Sequence, residues 1–268
     1  MRRFISLTIA LALAFTMTAT TAEARKKKRQ RQHAAPVTQK LGDMELCNGG
    51  VMVTAQDQMN GCARVIVSRA NRATRSVAHY NRANALMKLS QVSGAIEDYG
   101  KALALNPDYA EALFNRAIAF QVTNNWAQAL VDLDAALVLE PNDTDTLATR
   151  GVLLLRLART GPAAADFERA LALNPRHAGA LTGRAHLRAR AHEWTLALED
   201  YESALHVAPQ SAEALYGRGL VLAWSGKTER GEADMLQAKN FSPGVGDRLA
   251  ALGLTRTPSP MAASTLTN

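Results

Sequence analysis

Five arginines and five aspartates recur at one spacing, and these are the residues best suited to bind a charged ligand. The arginines lie 34 residues apart, and an aspartate follows each of them 16 residues later: Arg82, Arg116, Arg150, Arg184 and Arg218, then Asp98, Asp132, Asp166, Asp200 and Asp234. A stripe of guanidinium groups could bind phosphate or carboxylate. The matched aspartates favour another interpretation, in which recurring ion pairs hold the repeated units together above packed arginine stems.

The other groups that could support catalysis are scattered. The six histidines, at positions 33, 79, 177, 186, 192 and 206, show no metal-binding spacing such as HExxH. The sequence also lacks the nucleophile-elbow, P-loop and dinucleotide-binding glycine motifs. We therefore expect neither an enzyme nor a cofactor or metal site.

A 34-residue period organises the elements that carry these residues. It is marked by five prolines: Pro107, Pro141, Pro175, Pro209 and Pro243. A proline cannot continue a helical hydrogen-bond ladder, so each one should end a helix. Counted from residue 76, positions eight, twenty and twenty-seven of each unit are alanine or glycine throughout. Small side chains at fixed positions predict pairs of closely packed helices over residues 76–245.

This pattern resembles the tetratricopeptide repeat (TPR), through the same small, aromatic and proline positions. The resemblance implies an all-α fold, a right-handed α-solenoid of about five helix pairs followed by a C-terminal capping helix. Position seven departs from the family because it is always arginine. Arg188, at a position usually filled by an apolar residue, and Gly231, inside a helix, should weaken the fourth and fifth units locally.

The resemblance also implies that the first helices of the units line a concave groove. Carried onto this chain, the groove positions give these candidates for binding a partner segment: Tyr80, Asn84, Lys88, Phe114, Ile118, Arg156, His186, Arg190, Tyr216 and Trp224. Aromatic and basic residues among them suit a peptide with acidic groups along one edge. A solvated inner face is the alternative. The carboxylate clamp of some family members is not expected, because Tyr80 replaces its lysine.

The start of the chain has the layout of a secretory signal peptide over residues 1–24, with cleavage predicted after Ala24. Residues 25–40 form a basic arm and linker. The arm holds most of the net charge of +7, and its basic residues are Arg25, Lys26, Lys27, Lys28, Arg29 and Arg31. Beyond Arg31 the chain has 23 basic and 23 acidic residues. The arm could contact anionic lipid or cell-wall polymers, but nucleic-acid binding is not expected from a neutral body.

Residues 41–75 are predicted as an N-terminal half-repeat, with a helix from Ala55 to about Arg72. The region contains the two cysteines of the chain, Cys47 and Cys62. In an exported protein such a pair most simply forms a disulfide. Two separate buried thiols are the alternative.

After the last unit, residues 246–254 are predicted to form the capping helix, from Arg248 to Leu252 with Asp247 as its N-cap. Its apolar residues would cover the exposed end of the array. Residues 255–268, with Pro258 and Pro260, are predicted to be a disordered tail.

Together these features predict a periplasmic or secreted module that binds a protein or peptide segment in the groove. Two alternatives remain. The cationic arm could tether the protein to an anionic envelope surface with the repeats as a spacer, or the units could stack end to end in self-assembly.

Overall fold

The computed structural model describes residues 42–257, and all regular secondary structure within that range is helical. The predicted signal peptide, the basic arm and linker, and most of the predicted tail lie outside the described residues. No helix between residues 42 and 257 is long and apolar enough to cross a membrane. The helices fall into two compact units, an N-terminal unit that ends at Ser90 and a C-terminal unit that begins at Gln91.

The N-terminal unit contains three helices, α1 (Asp43–Asn48), α2 (Ala55–Val67) and α3 (Arg72–Lys88). A disulfide joins Cys47 in α1 to Cys62 in α2, and both residues are fully buried. Helix α1 was not predicted. It begins where the Gly42 amide donates to the Glu45 carboxylate, at 2.8 Å.

Helix α2 is shorter than the predicted helix, and α3 begins before the predicted start of the first unit. The reason is local capping. The Asn71 side chain accepts a hydrogen bond from the Thr74 amide at 2.8 Å, which satisfies an otherwise unpaired donor and fixes the start of α3.

The C-terminal unit begins with α4 (Val92–Leu105), the second helix of the first repeat, and continues as antiparallel helix pairs. The pairs are α5 (Ala110–Val122) with α6 (Trp126–Leu139), α7 (Thr144–Arg156) with α8 (Thr160–Leu173), α9 (Ala178–Arg190) with α10 (Trp194–Val207), and α11 (Ala212–Trp224) with α12 (Thr228–Phe241). Each second helix stops two residues before a proline of the 34-residue series, as predicted. The last helix is α13 (Val245–Ala250).

Small residues allow the helices of a pair to approach closely, and Gly231 shows why. A Cβ at Gly231 would collide with the carbonyl oxygen of Gly219 across the α11–α12 contact. The expectation that Gly231 weakens its unit through low helix propensity was therefore incomplete, because the close packing of these two helices requires a glycine there. Larger buried residues such as Phe167 and Tyr201 fill the space between successive pairs.

The turn between the two helices of each repeat contains the fifteenth residue of that repeat, and this residue has a left-handed backbone conformation. The five residues, with φ between 58° and 86°, are Ser90, Asn124, Ala158, His192 and Gly226. Four of them carry a side chain, although this conformation is unfavourable for residues other than glycine.

Helix α13 differs in its bounds from the predicted capping helix. It starts at Val245 after Gly244, so Asp247 lies in its first turn and is not its N-cap. Leu252 and Leu254 follow the helix in a turn, and both are buried together with Leu249. This C-terminal segment packs mainly against α11.

Candidate partner-binding face

The recurring arginines of the C-terminal unit are bound to the recurring aspartates of the same repeat. Arg150 donates from Nε and Nη2 to the two carboxylate oxygens of Asp166, at 2.8 and 2.7 Å. The same two-bond geometry joins Arg116 to Asp132, Arg184 to Asp200 and Arg218 to Asp234. The hydrogen bond to Asp166 raises the pKa of Arg150, against the opposing effect of burial. These guanidinium groups are therefore committed to structural ion pairs.

A second acid, which sequence reasoning missed, links successive repeats. Arg150 also donates from Nη1 to Asp134 of the preceding repeat at 2.7 Å, and Arg184 reaches Glu168 in the same way at 3.1 Å. The signal was present in the sequence, because position twenty-five is acidic in the second, third and fourth repeats. Arg150 and Arg184 thus each join the second helix of their own repeat to the second helix of the preceding repeat.

Arg188 is a further member of this network. Its Nη1 donates to Asp200 at 2.7 Å, so that one buried carboxylate accepts from two arginines. The expectation that Arg188 weakens the fourth repeat overlooked this pair. A charge-assisted bond takes the place of the apolar contact found at this position in other repeats.

The predicted groove residues are divided between the two units. Tyr80, Asn84 and Lys88 lie on α3 of the N-terminal unit, where the first two are half-buried and Lys88 is exposed. The remainder lie on the first helices of the C-terminal unit, namely α5, α7, α9 and α11. We call the surface that carries Phe114, Ile118, Arg156, His186 and Arg190 the first-helix face.

The C-terminal segment covers the end of this surface, and three predicted residues contact it. Tyr216 is 6% exposed, and its hydroxyl lies beside Gly246 of α13. The Trp224 indole donates to the carbonyl oxygen of Arg256 at 3.1 Å. The Arg190 guanidinium lies next to Gly253. Tyr216 is therefore not available to a partner, contrary to its assignment as a binding residue.

A cavity of about 250 Å³ lies where the first-helix face meets this segment. Arg156 of α7, His186 of α9 and Glu213 of α11 line it, together with Leu249 and Leu252 of the C-terminal segment. Glu213 accepts a hydrogen bond from Arg248 at 2.6 Å, which holds α13 in place beside the cavity.

His186 is the unusual residue of this cavity. Its side chain is buried, and neither ring nitrogen has a hydrogen-bond partner. Burial lowers the pKa of His186 to about 4, against a weaker opposing effect of Glu213, so the ring is neutral at pH 7. Its ring centroid lies 5.7 Å from that of Tyr201, whose buried hydroxyl is also without a partner.

Charges of opposite sign lie at different places along the first-helix face. A smaller cavity of about 170 Å³ is lined by Phe114 and by acidic residues including Glu111 and Glu140. Farther along, Arg156 stacks over the Trp126 ring at 4.6 Å. Among residues 42–257, no carboxylate forms an ion pair with Arg156 or Arg190. In the same range no group of acidic, histidine or cysteine side chains could hold a metal ion.

Comparison with known proteins identifies the repeats. Residues 83–122 match the family model described as TPR repeat, and residues 182–244 match the one described as Tetratricopeptide repeat. The chain is a TPR protein. The 34-residue period and the helix pairs described above are those of this family. No curated protein sequence matches this TPR protein significantly.

Solved structures show the same fold at low sequence identity. A tetratricopeptide repeat protein from Parabacteroides merdae ATCC 43184 is 18% identical, with a TM-score of 0.60 over 75% of this TPR protein and 86% of that chain. MamA is 20% identical, with a TM-score of 0.50 over 63% and 92%. A chain of the Cut9–Hcn1 hetero-tetramer is 14% identical, with a TM-score of 0.64 over 74% and 39%. At these identities the likeness concerns the all-α TPR solenoid fold.

Proposed function

We propose that this TPR protein is an interaction module that binds a segment of a partner protein on its first-helix face. One observation carries the proposal. Along a single surface, one cavity lies beside Phe114 and a second lies beside Arg156, and within residues 42–257 no carboxylate forms an ion pair with Arg156 or with Arg190 at the end of α9. The recurring arginines of the C-terminal unit are held in ion pairs, so on this surface Arg156 and Arg190 are the guanidinium groups left to bind a partner.

The distribution of charge indicates how a partner would lie. The cavity at Phe114 is bordered by acidic side chains, whereas the cavity at His186 is bordered by the ion pair of Arg248 with Glu213 and by Arg156, which supplies a positive charge without a carboxylate partner. A segment with basic residues at one end and acidic residues at the other would match this pattern and bind in one direction. Electrostatic complementarity of this kind contributes mainly to specificity and to the rate of association.

The binding side chains lie on helices that are fixed by the ion-pair network. Phe114, Arg156 and His186 each stand on a first helix that packs against its second helix. A surface that needs little ordering on binding loses less conformational entropy, so more of the interaction free energy contributes to affinity. This supports recognition of a flexible segment by a surface that is already formed.

We also propose that the protein is exported and that its signal peptide is cleaved near Ala24. The buried Cys47–Cys62 disulfide is consistent with it, because disulfides persist in oxidising compartments and are rare in the cytosol. In that setting the partner would be another protein of the periplasm or the cell exterior.

In-cell crosslinking with mass spectrometry tests the proposal. The variant Phe114→Ala/Arg156→Ala alters the first-helix face, and the matched control Val131→Ala/Arg176→Ala alters two exposed residues elsewhere. We expect a partner that crosslinks to wild type and to the control but is lost from the first variant. A partner retained by the first variant would place binding on another surface.

A further inference from the structure

The cavity of about 250 Å³ that meets the C-terminal segment is lined by polar side chains that are already bonded within the fold. Thr182 donates its hydroxyl to a backbone carbonyl oxygen of α9 at 2.8 Å, and the Ser211 hydroxyl accepts from a backbone amide of α11. Glu213 accepts from Arg248 at 2.6 Å. A polar group that entered this cavity would therefore lose hydrogen bonds to water and gain few in return, which is unfavourable.

Apolar surface makes up most of the remaining lining. Val152 comes from α7, and Leu249 and Leu252 come from the C-terminal segment. Both nitrogens of His186 are closed to solvent, so its ring contributes carbon atoms to the wall. The volume exceeds the roughly 150 Å³ that admits benzene in a protein interior. The cavity therefore has the size and the lining for one large apolar side chain.

Arg156 also lines this cavity, and its guanidinium group is oriented to bind a carboxylate. It lies over the Trp126 ring, 4.6 Å from the ring centroid. Within residues 42–257 no carboxylate forms an ion pair with it. A guanidinium group stacked on an aromatic ring keeps its N–H groups free in its own plane. A carboxylate can therefore approach from the edge and accept two hydrogen bonds.

We propose that this cavity holds a large apolar side chain of an acidic partner segment, that a neighbouring carboxylate of the segment binds Arg156, and that the C-terminal segment forms one wall of the site. The proposal rests on the function proposed above and deepens it, because it names the pair of side chains that the site recognises. Since Leu249 and Leu252 contribute the wall, the segment that closes the array is also needed for binding.

Other side chains fit this cavity less well. A lysine would bring a positive charge next to Arg156, and an acidic side chain inside the cavity would lie beside the Glu213 carboxylate. A glutamine amide would be buried without partners, because the polar groups of the wall are already bonded. An apolar side chain has no hydrogen bonds to lose, and it gains free energy by leaving water.

Short peptides with blocked ends test the occupant, and the leucine methyl signals of the full chain report binding by NMR. Acetyl-Glu-Leu-Glu-amide is the probe, Glu-Ala-Glu lacks the large apolar side chain, and Gln-Leu-Gln lacks the charge. We expect Glu-Leu-Glu to shift the methyl signals of Leu249 and Leu252. It should bind about tenfold more tightly than Glu-Ala-Glu and about threefold more tightly than Gln-Leu-Gln, as a partly buried leucine and a partly exposed ion pair imply. Equal binding of Glu-Leu-Glu and Glu-Ala-Glu, or methyl signals unchanged at every concentration, would overturn the proposal.

Variants test the cavity and the guanidinium group separately. Val152→Phe fills the cavity from α7 and should remove the preference for leucine over alanine, whereas the control Val131→Phe, at a site that is 67% exposed, should keep it. Arg156→Met should bind Glu-Leu-Glu and Gln-Leu-Gln equally, whereas the control Arg176→Met, at an exposed site, should still discriminate. A preference for leucine that survives in Val152→Phe, or for acid in Arg156→Met, would show that the peptide binds elsewhere. Circular dichroism spectra confirm that the variants are folded.

Amide hydrogen exchange tests the wall that the C-terminal segment contributes. The amides of Leu252 and Leu254 both donate to the carbonyl oxygen of Leu249, at 2.9 and 3.0 Å. Detachment of the segment would remove the wall, so Glu-Leu-Glu at about nine times its Kd should slow the exchange of these amides about tenfold. The Gln58 amide of the N-terminal unit serves as the control and should exchange at an unchanged rate. If bound peptide leaves the exchange of Leu252 and Leu254 unchanged, the assignment of this wall is wrong.

The two proposals fail in different ways. If Glu-Leu-Glu does not bind, but a crosslinked partner is lost on changing Phe114 and Arg156, the pocket is wrong and the interaction module stands. If Glu-Leu-Glu binds with the expected preferences, but no partner crosslinks to the protein in cells, the pocket stands and the proposed function is contradicted.

Discussion

The ion pair of Arg150 and Asp166 makes a quantitative prediction about the stability of the array. Replacing Arg150 with methionine keeps an apolar stem but leaves the Asp166 carboxylate, 7% exposed, without its guanidinium partner. Removing one member of a buried pair typically costs 3–5 kcal/mol. Because the Arg150 side chain is 24% exposed, water can replace part of the lost interaction. We therefore expect a loss near the lower end, about 3 kcal/mol.

Two further variants show which of the bonds of Arg150 matters. Asp134→Asn removes the pair with a carboxylate that is 55% exposed and should cost no more than about 1 kcal/mol. The double variant Arg150→Met/Asp166→Leu replaces the buried pair with apolar side chains and should recover most of the lost stability. Urea unfolding followed by far-UV circular dichroism measures all three differences.

The reasoning fails if Arg150→Met costs no more than Asp134→Asn, or if the double variant is no more stable than Arg150→Met. Either result would mean that Asp166 is well solvated without its partner. Loss of partner binding with unchanged unfolding would instead return the arginine stripe to a role in ligand recognition, which is the alternative left open by the sequence.

Three more predictions follow from the fold. Reducing the Cys47–Cys62 disulfide should destabilise the N-terminal unit by about 3 kcal/mol, the value for a loop of this length, and thermal unfolding with and without dithiothreitol measures it against a Cys47→Ser/Cys62→Ser control that should not respond. The pKa of His186 is about 4 in the folded protein and about 6.5 when unfolded, so between these values only the unfolded chain binds a proton. The contribution of the neutral ring to the free energy of unfolding is therefore present above pH 6.5 and is lost as the pH falls towards 4. Wild type should therefore lose about 3 kcal/mol relative to His186→Leu between pH 7 and pH 4 in urea titrations, and parallel curves would contradict the buried neutral ring. Leu249→Ala should cost about 3 kcal/mol and make Tyr216 reactive to N-acetylimidazole, whereas Leu236→Ala, at an exposed site, should do neither.

The repeated part of the fold was predictable because its information is local and recurs. A proline that ends a helix and small residues at fixed positions act within one 34-residue unit, so five copies fix the period and the fold class. The ion pairs were predictable for the same reason. The arginine and the aspartate that Arg150 and Asp166 represent are 16 residues apart in every repeat, so no knowledge of distant contacts was needed.

The candidate site was less predictable because it depends on where the chain goes after the last repeat. Tyr216 stands at the same position in its repeat as Phe114, yet α13 covers it, and periodicity contains no information on that path. A partial signal exists. Leu249 and Gly253 occupy positions four and eight of a sixth unit counted from residue 246, which would have suggested packing on α11. The missing hydrogen bond of His186 is visible only in three dimensions.

The left-handed turns keep this array below the stability that its fold allows. Ala158 has a φ of 58°, and its methyl side chain can form no hydrogen bond that would offset the strain. Glycine occupies the equivalent turn position at Gly226. The strain of about 1–2 kcal/mol at such a residue exceeds the entropic cost of glycine in the unfolded chain, about 0.5–1 kcal/mol. Glycine at this turn would therefore raise the melting temperature without touching the first-helix face. An engineer could use that margin to offset destabilising changes made on the binding surface.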